Sequence, residues 1–165
     1  MYNNVCFIVS PIGDRDSPTR FRADGVFRDI IEPAVARIGL KPLRADHIER
    51  PGLISVQMLN CLIHCPLVIA DATGNNPNVL YEIGVRHAIG KPLIQIAEVG
   101  SELPFDIESI RRIEFDTSEP DKFEHAIRLV AAQGKLLLAN QSVARGLPGR
   151  LLSDRTDCID APARS

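Results

Sequence analysis

Carboxylates and amides crowd one short stretch of the chain, "DATGNNPNVLYEIGVRHAIGKP", residues 71 to 92. Asp71 follows four aliphatic residues, where an ionised carboxylate needs partners or a ligand. It suits the loop amides from Thr73 to Asn76, and equally a sugar with two adjacent hydroxyls. Glu82 lies on the helix that Pro77 opens with Asn76 as its cap. At ~100° per residue, Val79, Leu80, Ile83, Gly84 and His87 share one face of that helix, with Glu82 at its margin and Asn78 behind it. A carboxylate so placed faces a pocket over the sheet edge and is a candidate catalytic group. The competing reading is an ordinary surface ion pair with Arg86 one turn on. His87, in the middle of the stripe, reads as a packed core histidine.

A second polar cluster is "SPIGDRDSPTR", residues 10 to 20. Ser10, the amides around Gly13, and Arg15 and Arg20 are enough to hold a phosphate or a sugar hydroxyl; the same loop also reads as a solvated connection. Its single glycine matches neither the dinucleotide fingerprint nor the Walker A pattern, which counts against nicotinamide-dependent hydride transfer and P-loop hydrolysis. Cys61, His64 and Cys65 share one helix and lack a second ligand pair, so they read as buried thiols and no metal is expected. No cofactor is implied.

The elements that must position these residues follow from periodicity. "VCFIV" (5 to 9) is a continuous β-favouring run closed by Ser10 and Pro11, the signature of a strand buried on both faces. Apolar residues from Phe21 to Ile38 recur at three and four, predicting a helix that ends at Gly39 and is kinked or delayed by Pro33. "KPLRAD" predicts a second strand ending at Asp46, Pro51 and Gly52 open a helix over Ile54, Met58, Cys61, Leu62 and Cys65, and "LVIADA" (67 to 72) is the most apolar strand. "PLIQIA" and "RRIEF" complete five strands. A last helix starts near 118 to 121, buries Phe123, Ala126, Ile127, Val130 and Ala131, and has Gly134 after it. Strand–helix alternation implies right-handed crossovers and an α/β doubly wound parallel five-stranded sheet, a flavodoxin- or Rossmann-like three-layer sandwich. Ligands of such sheets bind outside the carboxyl ends of the strands, where Ser10 to Arg15, Asp46, His47, Asp71 to Asn78 and Glu98 emerge.

A chain of 165 residues, 45% hydrophobic and 24% charged, has the length and composition of one globular domain. Residues 1 to 139 are assigned to it, and 140 to 165, without periodicity, to a flexible tail. A formal net charge of -2 gives no basic excess for a phosphate backbone, so duplex nucleic acid is not expected as a partner. No run approaches a membrane span or a signal peptide, and the cysteines lack disulfide spacing, so a cytoplasmic location is expected.

The segments "FIVSPIGD", "LRAD", "LVIADATGNNPNVLYEIGVRHAIGKPLI" and "LPFDI" together resemble the nucleoside 2-deoxyribosyltransferase-like proteins, a superfamily of nucleoside and nucleotide N-glycosidases related in architecture to TIR domains. The likeness spans about residues 5 to 115. It implies that Glu82, in the "Y-E-x-G" segment, is the nucleophile and that Asp71 orients the sugar or the leaving base. It further implies a ribose and base pocket shaped by Asn75, Asn76 and Asn78, a homo-oligomer, and a nucleoside, nucleotide or NAD as substrate. Departure of a neutral base calls for a second acid, Asp71 or Asp46 with a raised pKa; nicotinamide leaves without one. "TGNNPNV" is nearer to the divergent branch found in bacterial defence and stress systems than to the transferases proper. A non-catalytic nucleotide sensor or TIR-like assembly module on the same scaffold is the alternative.

Overall fold

Five short apolar runs become strands: β1 (Val5–Val9), β2 (Lys41–Arg44), β3 (Leu67–Asp71), β4 (Leu93–Glu98) and β5 (Arg112–Phe115). The structure is a computed structural model that describes residues 2–47, 54–102, 112–118 and 120–144. All neighbouring strands pair in parallel, in the order β2-β1-β3-β4-β5. The doubly wound parallel sheet read from the sequence is therefore what the chain forms. Its winding reverses between β1 and β3, which leaves a crevice at their carboxyl ends.

Period-two alternation along the strands builds two apolar layers. Ile8, Leu67, Ile69 and Ile96 pack on one face against α1 (Pro18–Val26), α2 (Glu32–Ala36) and α5 (Pro120–Ala144). Phe7, Val9, Val68 and Ala70 pack on the other against α3 (Ile54–His64) and α4 (Pro77–Ala88). Both faces are covered, as the continuous apolar strands require. Cys6, Cys61 and Cys65 are buried thiols within these layers. Burial pushes the Cys6 thiol up, and the hydrogen bond with Cys61 together with burial does the same for Cys65, so neither has the character of a reactive thiolate.

Several boundaries differ from the sequence reading. The first helix starts at Pro18, not Phe21: Ser17 caps it, its Oγ accepting from the Arg20 amide at 3.1 Å, with proline in the first turn. Pro33 does not delay the helix, whose segments run without a break from Pro18 to Ala36. The chain widens instead into a π-helical segment, Phe27–Ile31, in which the amide of Glu32 donates to the carbonyl of Phe27; the wider turn sits where Pro33 lacks an N–H to continue the α ladder. Strand β2 ends at Arg44, and Ala45–His47 turns as a 3-10 helix. The expected opening of α3 at Pro51 and Gly52 lies outside the described residues.

Helix α5 runs through Gly134 and on to Ala144. It thus takes the first five positions assigned to the tail, while 145–165 lie outside the described residues. Gly134 is there for close approach: a Cβ would collide with Ile38 Cδ1 and come within 3.4 Å of Leu67 Cδ2. Among the described residues no helix is long and apolar enough to cross a membrane. Gly134→Ala should stay within ~1 kcal/mol of wild type, because helix propensity offsets the crowding. Gly134→Leu should lose ~1–3 kcal/mol by overpacking, measured by urea unfolding.

Candidate active site

The crevice at the carboxyl end of β1 opens into a cavity of about 440 Å³, lined by the residues following β1, by Ala45, by Met58 of α3 and by the first half of α4. That volume lies within the ~300–1,000 Å³ usual for small-molecule sites. Asn78, Tyr81 and Glu82 all face it, at the three- and four-residue spacing of one helical stripe. Asn76 starts the helix, its Oδ1 accepting from the amides of Asn78 at 3.0 Å and Val79 at 3.4 Å. Ser10 completes the polar wall, with its Oγ buried and without a hydrogen-bond partner.

Glu82 is the centre of interest. It is 7% exposed, and among the described residues no cation or donor engages its carboxyl. Burial raises its pKa from 4.5 to about 7, so near neutral pH the group is poised between acid and carboxylate. The surface ion pair with Arg86 does not form. Arg86 is wholly buried; its Nη2 donates to the carbonyls of Cys65 at 2.9 Å and Pro66 at 3.3 Å, its Nε to that of Pro92 at 3.0 Å, and its Nη1 to that of Leu62. Burial also lowers its pKa to about 10.

The buried face of α4 is Val79, Glu82, Ile83 and Arg86, rotated from the face read in the sequence. His87 is exposed, not a packed core residue. The angular reading gave the face to apolar residues, whereas carbonyls orphaned at the ends of neighbouring elements draw the arginine inward.

Asp71 is not on the cavity wall. It shares the strand parity of Leu67 and Ile69, so its side chain points to the α1–α5 layer, opposite Glu82. There it is fully buried, with Oδ2 accepting from Arg22 Nη2 at 2.9 Å and Oδ1 from the amide of Thr73 at 3.0 Å. It therefore braces the loop, as its capping alternative required. Asp46 is also removed as a second acid. Burial works to raise its pKa, but hydrogen bonds from Arg44 and the charges of Arg44, His47 and Arg20 hold it below the usual value. Arg44 Nε reaches Asp46 Oδ1 at 2.7 Å and Arg20 Nη2 reaches its Oδ2 at 2.6 Å.

Gly13, Arg15 and Asn75 are not brought to the cavity either. Gly13 passes so close to Ser17 and Thr19 that no side chain fits, and Arg15 is exposed. Asn75 takes a left-handed φ of 54° after Gly74 at 74°, and its Nδ2 donates to the carbonyl of Glu102 at 2.6 Å. It shapes the turn. Sequence reasoning passed over Tyr81, 60% exposed, and Arg22. Tyr81 carries a signal in being adjacent to Glu82 and three residues from Asn78. Arg22 carries none, since its partner is distant in sequence. Among the described residues, no three His, Cys, Asp or Glu side chains converge as metal ligands would.

No protein-family model and no curated protein sequence matches the chain. Among solved structures it is similar to a 2-deoxyribosyltransferase from Leishmania mexicana, at 14% identity and a TM-score of 0.48, over 76% of this chain and 97% of that one. It is also similar to the constitutive lysine decarboxylase of E. coli, at 14% identity and a TM-score of 0.45, over 83% of this chain and 18% of that one. Function is therefore argued from the site.

Two outcomes test this geometry. Removing Arg86 takes its buried donors away from the carbonyls of Leu62, Cys65 and Pro66, so Arg86→Met should cost ~3 kcal/mol or more in urea unfolding. Glu82 acts with the opposite sign. Its carboxyl is protonated in both states at low pH; between 4.5 and about 7 the unfolded chain ionises first, and stability falls until both are charged. Glu82→Gln should equal wild type near about pH 4 and exceed it by on the order of 2–3 kcal/mol near about pH 8. An unchanged difference between the two pH values would mean that the carboxyl is not desolvated.

Proposed function

We propose that the protein cleaves the N-glycosidic bond of a nucleoside, a nucleotide or NAD, with Glu82 as the nucleophile. The observation that carries this reading is a buried carboxyl that has no partner among the described residues, on the wall of a cavity at the reversal point of the sheet. Breaking the bond sends its electron pair to the base nitrogen and leaves oxocarbenium charge at the anomeric carbon. A Glu82 carboxylate beneath that carbon stabilises the charge and closes a glycosyl ester. Attack at the same carbon by water or an acceptor base then breaks the ester and frees the carboxylate, with water's proton passing to solvent.

Asn76 Oδ1 is committed to capping, so Asn78 and Ser10 are the polar groups on the wall left to address sugar hydroxyls or the base. Tyr81 offers an aromatic surface. Glu82 is the one carboxyl among the described residues lining the cavity. That favours a base that departs without protein protonation, as nicotinamide does from its cationic parent.

The test is chromatography of deoxynucleosides, nucleoside monophosphates and NAD after incubation with wild type and Glu82→Gln. Base or nicotinamide should be released by wild type, with the variant slower by ~10³-fold or more. Since the nucleophile must be ionised and its pKa is about 7, kcat/KM should rise with pH through neutrality and level off above it. A rate that falls over that range would make Glu82 an acid instead. Stabilisation by one of these ligands, without release of base by clean protein, would favour the nucleotide-binding sensor.

A further inference from the structure

The face of the sheet opposite Glu82 carries a second cavity, of about 270 Å³, between α1 with its π-helical continuation and the start of α5. Val26, Ile30 and Phe123 give it an apolar surface, and Arg22, Asp29 and Thr117 are its polar residues. Gly25 is part of the wall, and a Cβ there would meet nothing within 4 Å. Open space therefore lies directly over the helix backbone.

Arg22 gives this cavity its chemical character. Its Nη2 is held by Asp71 at 2.9 Å, whereas its Nη1 is buried and has no hydrogen-bond partner among the described residues. Buried donors of this kind are rare in folded proteins and call for an acceptor. The other polar groups are occupied: the carboxyl oxygens of Asp29 each accept from Arg28 at 2.8 Å, and Thr117 Oγ1 donates to Glu98 Oε1 at 2.6 Å.

We propose that this cavity is a binding site for a small uncharged ring bearing a carbonyl or amide oxygen. The oxygen accepts from Arg22 Nη1, and the ring packs against Val26, Ile30 and Phe123. The guanidinium charge is already matched by Asp71, and Asp29 stands on the same wall, so an anionic ligand finds no unmatched cation. A hydrocarbon would leave Nη1 unpaired. The volume falls below the ~300–1,000 Å³ typical of drug-sized ligands, which suits a single ring rather than a nucleoside. The two cavities share no lining residue, so this site stands whether or not Glu82 is a nucleophile.

Titration of nicotinamide and of uracil into the full chain, followed by amide and arginine side-chain NMR, tests the proposal. Saturable shifts are expected at Gly25, Phe123 and Arg22, persisting in Glu82→Gln. Gly25→Leu fills the open space while replacing a poor helix former, so it should fold and weaken binding by ~tenfold or more. Arg22→Met should also abolish binding, although it strips Asp71 of its partner, which makes Gly25→Leu the primary variant. Absence of saturable shifts at Gly25 with both probes, shifts confined to Asn78 and Tyr81, or binding unaffected by Gly25→Leu would overturn the site. Benzoate binding as tightly as nicotinamide would overturn the uncharged class.

Discussion

Arg86 lies entirely out of water and spends its guanidinium on backbone carbonyls. Those carbonyls belong to the end of α3, the entry to β3 and the entry to β4. One side chain of α4 thereby binds acceptors at three element ends, sharing the Pro92 carbonyl with the amide of Val68 at 3.2 Å. Hydrogen bonds from a charged donor are among the stronger ones available, and each carbonyl left bare inside would carry a desolvation penalty. The consequence is positional. Helix α4 is fixed in rotation against the sheet, and with it the direction in which Glu82 points one turn earlier.

That fixed rotation explains how the fold sustains an unpaired acid. Glu82 lies between the core-facing stripe of Val79, Ile83 and Arg86 and the cavity-facing stripe of Asn78 and Tyr81. It is desolvated by the first and opened to the second. A carboxyl shifted to about 7 sacrifices on the order of 3 kcal/mol once ionised, a large part of the ~5–15 kcal/mol stability of an ordinary domain. Arg86 lies one turn further along the same buried face, but its guanidinium is turned to backbone carbonyls and does not pair with Glu82. The chain retains a charge cost at this one position and satisfies its other buried ions with partners, as Arg44 with Asp46 and Asp71 with Arg22 show.

The sheet separates these two arrangements. On the α3–α4 side, Glu82 faces a cavity with no counter-charge among the described residues. On the α1–α5 side, Asp71 is locked to Arg22 and to the Thr73 amide, which anchors the loop leading into α4. Thr73 also receives the amide of Glu98 at 2.9 Å, so the loop is tied to the end of β4 as well. Asp71 thus supports the entry to the helix that carries Glu82 from behind the sheet, a structural task distinct from the catalytic one first read for it.

The sequence by itself determined the strand–helix alternation, the parallel sheet, the apolar layers and the cap at Asn76. Each of these follows from local periodicity or capping chemistry carried by neighbouring residues. It also marked Glu82, because a carboxylate at the margin of an apolar stripe is legible along one helix. Tertiary structure alone decided which face of the sheet each acid serves. Asp71 and Glu82 are close in sequence, but strand parity sends one to each side, and Asp46 meets Arg20, which only folding brings to it. Gly134 read as a helix end until Ile38 and Leu67 were packed against it, and Arg86 read as a surface residue until backbone carbonyls from three element ends surrounded it. Such contacts join residues distant along the chain, and no periodicity within a single element encodes them.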